Sequence, residues 1–208
     1  MSGAEQKQMP HTSGDSSRSP RGNVLLFARN FFRHPRMLGS IVPSSRFLIK
    51  QLLEPINWGR ARVIVEYGPG VGGITAEVLR RMRADATLIA IEMNPDFVGY
   101  LRGSIEDRRL QVVQGSAAQV EEILHRFGYT RVDYIISGIP FSTIPAALRE
   151  EILHKTRDAL EPGGAFLVYQ FSTRVLRDLT RIFGYVGRRF ELLNVLPAHL
   201  FICQPITA

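Results

Sequence analysis

Residues 66–73 read Glu-Tyr-Gly-Pro-Gly-Val-Gly-Gly, a carboxylate followed by closely spaced glycines at the end of an apolar run. Gly68 and Gly70 let a chain turn tightly and approach a ligand where a Cβ would collide. With Gly72 and Gly73 the run satisfies both G-x-G-x-G and G-x-G-x-x-G, spacings that occur by chance in many turns. A second signal adds weight. Glu92 closes the next apolar run, 20 residues after Gly72, where a carboxylate can accept both hydroxyls of a ribose. NAD and S-adenosylmethionine would share that carboxylate. A pyrophosphate, however, seeks free N–H groups at a helix start and is disfavoured by nearby negative charge. Glu66 at the mouth of the turn instead matches the amino group and sulfonium of S-adenosylmethionine, which the pattern therefore favours. Gly115-Ser116-Ala117, after a third apolar run, offers an adenine contact through Ser116 and backbone N–H groups.

A second constellation is Ser137-Gly138-Ile139-Pro140-Phe141. In methyltransferases that act on amines the corresponding loop faces the methyl group. Its carbonyls and small side chains hold the nitrogen, and an aromatic ring can stabilise the forming cation. Transfer is an in-line displacement that needs positioning and a neutral amine more than covalent help. Ser137, Gly138, Ile139, Phe141 and Tyr67 are the catalytic candidates. Tyr169 is a further aromatic, better explained by core packing inside an apolar run. His125, His154 and His199 are not spaced as metal ligands, and no metal is expected. His125 and His154 read as helix surface residues. His199 borders the expected active face, with a structural role favoured.

These groups need elements to hold them. The runs 62–67, 87–92, 110–114, 132–137 and 165–171 have strand character. Amphipathic helices follow them around ITAEVLRRM, from Asp96, and over AAQVEEILHRF, PAALREEILHKTRDAL and VLRDLTRIF. Glu161-Pro162-Gly163-Gly164 reads as a turn. FELLNVL and HLFICQPI read as two terminal antiparallel strands joined at Pro197-Ala198. Strands alternating with helices imply an open, doubly wound, mostly parallel sheet covered on both faces. Ligands then sit beyond the carboxyl ends of the strands, at the topological switch point.

The 208 residues suffice for one domain with a sizeable core. A net charge of +7 favours polyanionic partners, either nucleic acid or anionic lipid. One cysteine, Cys203, excludes an internal disulfide framework and suits a reducing cytoplasm. No stretch approaches the ~20 apolar residues that span a bilayer, and the run at 24–27 is too short for a secretory signal.

VIVEYGPGVGGIT, IAIEMNPDF, VVQGSA and ISGIPF together resemble class I S-adenosylmethionine-dependent methyltransferases. With RHPRMLGSIVPSSRFL in front and NVLPAHLF behind, the resemblance narrows to the bacterial phospholipid N-methyltransferases. It runs from about Asn23 to the end. It implies an α/β fold, a seven-stranded Rossmann-like sheet with a terminal antiparallel strand and an N-terminal amphipathic helix. It also implies stepwise methylation of phosphatidylethanolamine to phosphatidylcholine. Implied cofactor contacts are Glu66, Gly68, Gly70, Glu92 and the turn Gly115, Ser116 and Ala117; Ser45, Tyr67, Gly72, Met93 and Ser137 complete the candidate cofactor site. Two departures stand out. Tyr67 replaces the usual leucine, and Ser116 replaces the common aspartate, removing an acidic adenine partner. Ornithine-lipid methyltransferases look much the same. Ribosomal RNA adenine dimethyltransferases share the Gly-rich loop but carry Asn-(Ile/Leu)-Pro-Tyr where this chain has Ser-Gly-Ile-Pro-Phe, and they add a helical C-terminal domain. A membrane-binding protein that senses the cofactor without catalysis is a third possibility.

Residues 1–20 read as a disordered tail, 21–54 as membrane-binding and cofactor-capping helices, and 55–208 as the methyltransferase domain. From Arg21 to Lys50 there is no acidic residue. At helical spacing Leu25, Phe27, Phe31 and Phe32 share one side, with Arg29 and Arg33 opposite and Arg36 just beyond. Such a helix suits an anionic bilayer surface, each arginine adding ~1 kcal/mol. A first helix packed on its own sheet would show the same stripe. Pro43-Ser44-Ser45 looks like the start of another helix with serine as cap. The chain is thus expected to act as a monomer, without nucleic acid, held at the inner face of the cell membrane.

Overall fold

The computed structural model describes residues 44–194 and 196–205. The tail and the membrane-binding candidates Leu25, Phe27, Arg29, Phe31, Phe32, Arg33 and Arg36 lie outside the described residues.

The described chain opens with α1 (Arg46–Leu53), capped by the Ser45 hydroxyl, which accepts from the Leu48 N–H at 3.2 Å. Then follow β1 (Val63–Tyr67), α2 (Gly73–Arg81), β2 (Thr87–Glu92), α3 (Pro95–Ser104) and β3 (Leu110–Gln114). A 3-10 turn at Ala117–Gln119 leads into α4 (Val120–Arg126), then β4 (Val132–Ser137), α5 (Ala146–Asp158), β5 (Leu160–Gln170) and α6 (Leu176–Phe183). The chain closes with β6 (Gly184–Glu191) and β7 (Ala198–Pro205).

Strand order is β3-β2-β1-β4-β5-β7-β6, with β1 to β5 parallel and β7 antiparallel to both its neighbours. The order reverses between β1 and β4, which sets the crevice there. Because successive strand residues point to opposite faces, β1 divides its side chains between two cores. Val63, Val65 and Tyr67 join the layer under α4, α5 and α6. Ile64 joins the layer under α1 and α2, with Leu48, Leu52, Leu53, Ile74, Val78 and Leu79.

Two expectations need correcting. Glu161-Pro162-Gly163-Gly164 does not separate α5 from a strand but lies inside β5, as an irregularity in its pairing with β4. The glycines serve the kink, since Gly163 has φ 82° and a Cβ on Gly164 would lie 2.7 Å from the Asp133 carbonyl oxygen. The first terminal strand is not FELLNVL but GYVGRRFE, starting as α6 ends. It is an edge strand with most residues exposed, so it lacks the alternation that marks a half-buried strand.

Candidate active site

Gly68, Gly70 and Gly72 all have positive φ, at 67°, 55° and 81°. Gly68 shows why. A Cβ there would lie 2.7 Å from the Ile139 side chain, so the glycine turn and the loop after β4 touch only because that atom is missing. Gly72 starts α2, and the chain between them passes over the end of β2. There Glu92, almost buried, takes the Gly70 N–H on one oxygen at 3.2 Å and the Asn94 N–H on the other at 2.9 Å. Each carboxylate oxygen has a second lone-pair site, so both can still accept a ribose hydroxyl. The Glu92 carbonyl accepts the Gly115 N–H at 3.0 Å, which brings the 115–117 turn beside it. Met93, 70% exposed, stands at the rim of the same turn.

Ser116 is occupied locally. Its hydroxyl accepts from the Ala118 N–H at 3.2 Å and its N–H donates to the Gln119 side chain at 3.0 Å, forming a capping box. An aspartate at this position could cap equally well, so the serine keeps the turn while withdrawing the negative charge.

Glu66 points to the α1/α2 side, fully enclosed, and accepts from the Thr75 hydroxyl at 2.7 Å. Burial pushes its carboxyl up to about 7, with the Thr75 hydrogen bond opposing and the Glu92 charge adding to the rise. Two neighbouring carboxylates, one held near neutrality, form a site that a cation would stabilise.

Tyr67, one residue on, must face the opposite way. It is fully buried, its hydroxyl lies 3.2 Å from the Thr156 hydroxyl on α5, and burial pushes the phenol further up. Its candidacy as a cofactor and catalytic side chain is withdrawn. Phe141 is likewise fully buried and packs edge-on against Phe166 at 6.1 Å. Its ring belongs to the core, and only its backbone helps to shape the loop. The Ser137 side chain is also buried and accepts from the Ile139 N–H at 3.3 Å, so it forms the turn. Gly138 donates its N–H to the Tyr67 carbonyl at 3.0 Å.

The aromatic ring that does reach this loop is Tyr169. A Cβ on Gly138 would come within 3.0 Å of its hydroxyl oxygen. Tyr169 shares the Glu66 side of the sheet, and burial pushes its phenol up, against a hydrogen bond with Ser44 and alongside the Glu66 charge. Ser44 and Ser45 thus border the site, although the Ser45 side chain itself is committed to its cap. Tyr169 and Phe171 meet edge-to-face at 6.1 Å and, with Gly138, Pro140, Ser142, Gln170 and Ser172, line a cavity of about 110 Å³. A larger cavity, about 630 Å³, lies at the far end of the strands. Its Arg131, Arg157 and Arg181 are already engaged by the Leu160 carbonyl, Asp158 and Glu150, so it offers no comparable chemistry.

Gln170 was not anticipated. Its side chain accepts from the Phe141 N–H at 3.1 Å and donates to the carbonyls of Ile139 at 2.8 Å and Tyr169 at 2.6 Å, fixing the loop after β4 to the end of β5. The visible signal was a polar residue closing the apolar run AFLVYQF. His199 packs against Phe190 at 4.7 Å and Phe201 at 6.2 Å, a structural place in the hairpin.

This architecture is found in known proteins. The family model described as "Methyltransferase domain" matches residues 64–164. An ornithine lipid N-methyltransferase of Singulisphaera acidiphila is 32% identical over 186 residues, covering 88% of this chain and 97% of the relative. The ribosomal RNA small subunit methyltransferase A of Mycoplasma mycoides is 25% identical over 111 residues, 52% of this chain and 38% of that protein. The crystal structure of a precorrin-6y C5,15-methyltransferase from Geobacter metallireducens superposes with a TM-score of 0.61 at 15% identity, over 77% of this chain and 89% of that one. The chain belongs to the class I S-adenosylmethionine-dependent methyltransferases. It is a methyltransferase whose cofactor is S-adenosylmethionine, and among its relatives is an enzyme of lipid N-methylation.

The residues present fit that cofactor. The glycine turn leaves a cradle that side chains would fill, Glu92 offers acceptors for a ribose, and Glu66 offers a buried counter-charge for a cationic amino acid portion. When bound, the cofactor supplies a methyl group made electrophilic by its sulfonium. The protein's part is to hold both reactants in line and exclude water.

Proposed function

We propose that this protein N-methylates phosphatidylethanolamine and its mono- and dimethyl derivatives towards phosphatidylcholine, as a monomer attached peripherally to the inner face of the cell membrane. The observation that supports lipid N-methylation is the similarity to a lipid N-methyltransferase over 88% of this chain, against a match to the ribosomal RNA enzyme that covers 38% of that protein. The acceptor cavity agrees, because its lining has no carboxylate, lysine, arginine or histidine. A primary amine that loses its proton to solvent needs no base there. It needs a narrow slot with an aromatic wall that tolerates the ammonium formed on transfer.

Ornithine lipid is a second acceptor reading, favoured by the name of the 32% identical relative. Both lipids present a primary amine on a head group at a bilayer surface. Labelled methyl transfer from S-adenosylmethionine, measured side by side on vesicles containing each lipid and on ribosomal RNA, separates the readings. Transfer to phosphatidylethanolamine is expected, and transfer to RNA with both lipids inert would overturn the proposal.

A further inference from the structure

The loop between β6 and β7 is built inside out. Its leucines face solvent: Leu192 is 66% exposed, Leu193 65% and Leu196 46%. Its polar residues are the buried ones. The Asn194 carboxamide accepts from the Ser45 N–H at 2.8 Å and donates to the Leu196 carbonyl at 2.9 Å. Glu191 accepts from the Leu193 N–H at 2.6 Å and from the Gln51 side chain at 2.5 Å. Hydrogen bonds from both flanks hold this stretch with its leucines outward, where their apolar surface stays in water. Single exposed apolar residues are ordinary, whereas three within five positions mark a contact surface.

Placement and charge indicate the partner. The pair Glu191 and Ala198 closes the hairpin at the end where Gln170 pairs with His199, which is the carboxyl end of β5 beside the acceptor cavity. Arg46 and Lys50 are exposed on α1, whose cap is the residue bonded to Asn194, and Arg188 is exposed on β6. Exposed leucines with exposed cations on the adjoining elements match the two layers of an anionic bilayer, acyl chains below and phosphates above. A nucleic acid would use the cations and leave the leucines wet.

We propose that the β6–β7 loop is a lipid-inserting surface, with Leu192, Leu193 and Leu196 entering the acyl boundary of an anionic bilayer while Arg46, Lys50 and Arg188 meet the phosphates. Its use in turnover presumes the lipid acceptor proposed above, but its insertion does not. It is also additional to the membrane contact expected of the N-terminal amphipathic helix that carries Leu25, Phe27, Phe31 and Phe32.

The single cysteine of the chain, Cys203, is buried. A cysteine placed by Leu193→Cys can therefore be labelled selectively with an environment-sensitive fluorophore on the full-length protein. Arg126→Cys, at the end of α4 on the opposite side, is the control. On vesicles of phosphatidylethanolamine and phosphatidylglycerol, emission at 193 should shift to shorter wavelength and be quenched by brominated acyl chains, while emission at 126 should not change. The Leu192→Ser/Leu193→Ser variant should lose tenfold or more in vesicle partitioning and in turnover of vesicle lipid. Its cofactor affinity and its rate on monomeric short-chain lipid should be unchanged. A label at 193 that stays in water, or a dimer that the double serine variant dissociates, overturns the proposal. Insertion at 193 without methylation of any lipid supports the surface and overturns the lipid acceptor instead.

Discussion

On the β1–β2 side of the cleft, two carboxylates are buried within hydrogen-bonded frames, Glu66 on Thr75 and Glu92 on the amides of Gly70 and Asn94. On the β4–β5 side, the cavity beside Gly138 is lined by glycine, proline, serines, glutamine and two aromatic rings. The difference matches what each side would receive under the proposed function. A cationic cofactor needs compensating charge held in place before it arrives, and low-dielectric surroundings make that charge count. A neutral amine needs shape and dryness. Charge on the acceptor side would either neutralise the wrong group or trap the amine as its unreactive ammonium. Substitutions on the two sides should therefore separate cleanly, those on the first moving cofactor affinity and those on the second moving turnover.

Glu92→Ala should have the largest effect. It removes two candidate ribose acceptors and leaves two backbone N–H groups without their partner, a loss of about 3 kcal/mol or more. Cofactor affinity measured by calorimetry should fall by 100-fold or more. The circular dichroism spectrum should stay that of a folded α/β protein. An unchanged affinity would falsify the placement of the cofactor at the end of β2.

Glu66 comes next and works through pH. Its carboxyl ordinarily titrates near 4.5 and is held at about 7 in the folded protein without cofactor. Between those values the folded state binds more protons than the unfolded state, so unfolding free energy falls as pH rises through that window, by about 3 kcal/mol in all. Binding of a cation favours the ionised carboxylate. Cofactor affinity should therefore increase from pH 6 to pH 8, with proton release on binding at pH 6. Glu66→Gln should raise the Tm of the cofactor-free protein at pH 8, flatten its pH dependence and weaken cofactor binding. A variant that is less stable at pH 8 would break the link between this buried charge and the cofactor.

Tyr169→Phe tests the other side. The ring and its packing on Phe171 remain, and what is lost is the hydroxyl facing Gly138 with its hydrogen bond to Ser44. Turnover should drop about tenfold, equivalent to ~1.4 kcal/mol, with cofactor affinity within a factor of two of the parent. If affinity falls as far as turnover, the two sides are not separate.

The cofactor side was legible in the sequence because it depends mostly on backbone. Glycines after a buried strand and a carboxylate closing the next strand specify a cradle before any packing is known. The runs at 87–92, 110–114 and 132–137 coincide with β2, β3 and β4 for the same reason, being short apolar stretches with turn residues on both sides. The acceptor side depends on parity. Whether Tyr67 or Tyr169 reaches the cleft is decided by which face of the sheet each residue takes, and apolar runs buried on both faces carry no alternation to reveal it. Edge strand β6 was missed for the complementary reason, since it is wet where a buried strand would be apolar. The inverted β6–β7 loop misled as well. Its leucines suggested a strand, whereas they lie in the connection and are exposed.

Tyr67→Phe should give the smallest effect and the sharpest contrast with Tyr169→Phe. Both substitutions delete one phenolic oxygen, two residues of similar burial are involved, and each sits within or just beyond the carboxyl end of a central strand. At position 67 the lost group hydrogen-bonds the Thr156 hydroxyl on the far side of the sheet. Thr156 can turn towards a backbone carbonyl of its own helix, so the net loss should be about 1 kcal/mol of stability at most, seen as a fall in Tm of a few degrees. Cofactor affinity, turnover and the pH dependence of both should match the parent, because neither Glu66 nor the loop after β4 contacts the missing oxygen. A tenfold loss of turnover in this variant would place the Tyr67 hydroxyl in the reaction and return the leucine-to-tyrosine departure in the glycine motif to the catalytic side of the molecule.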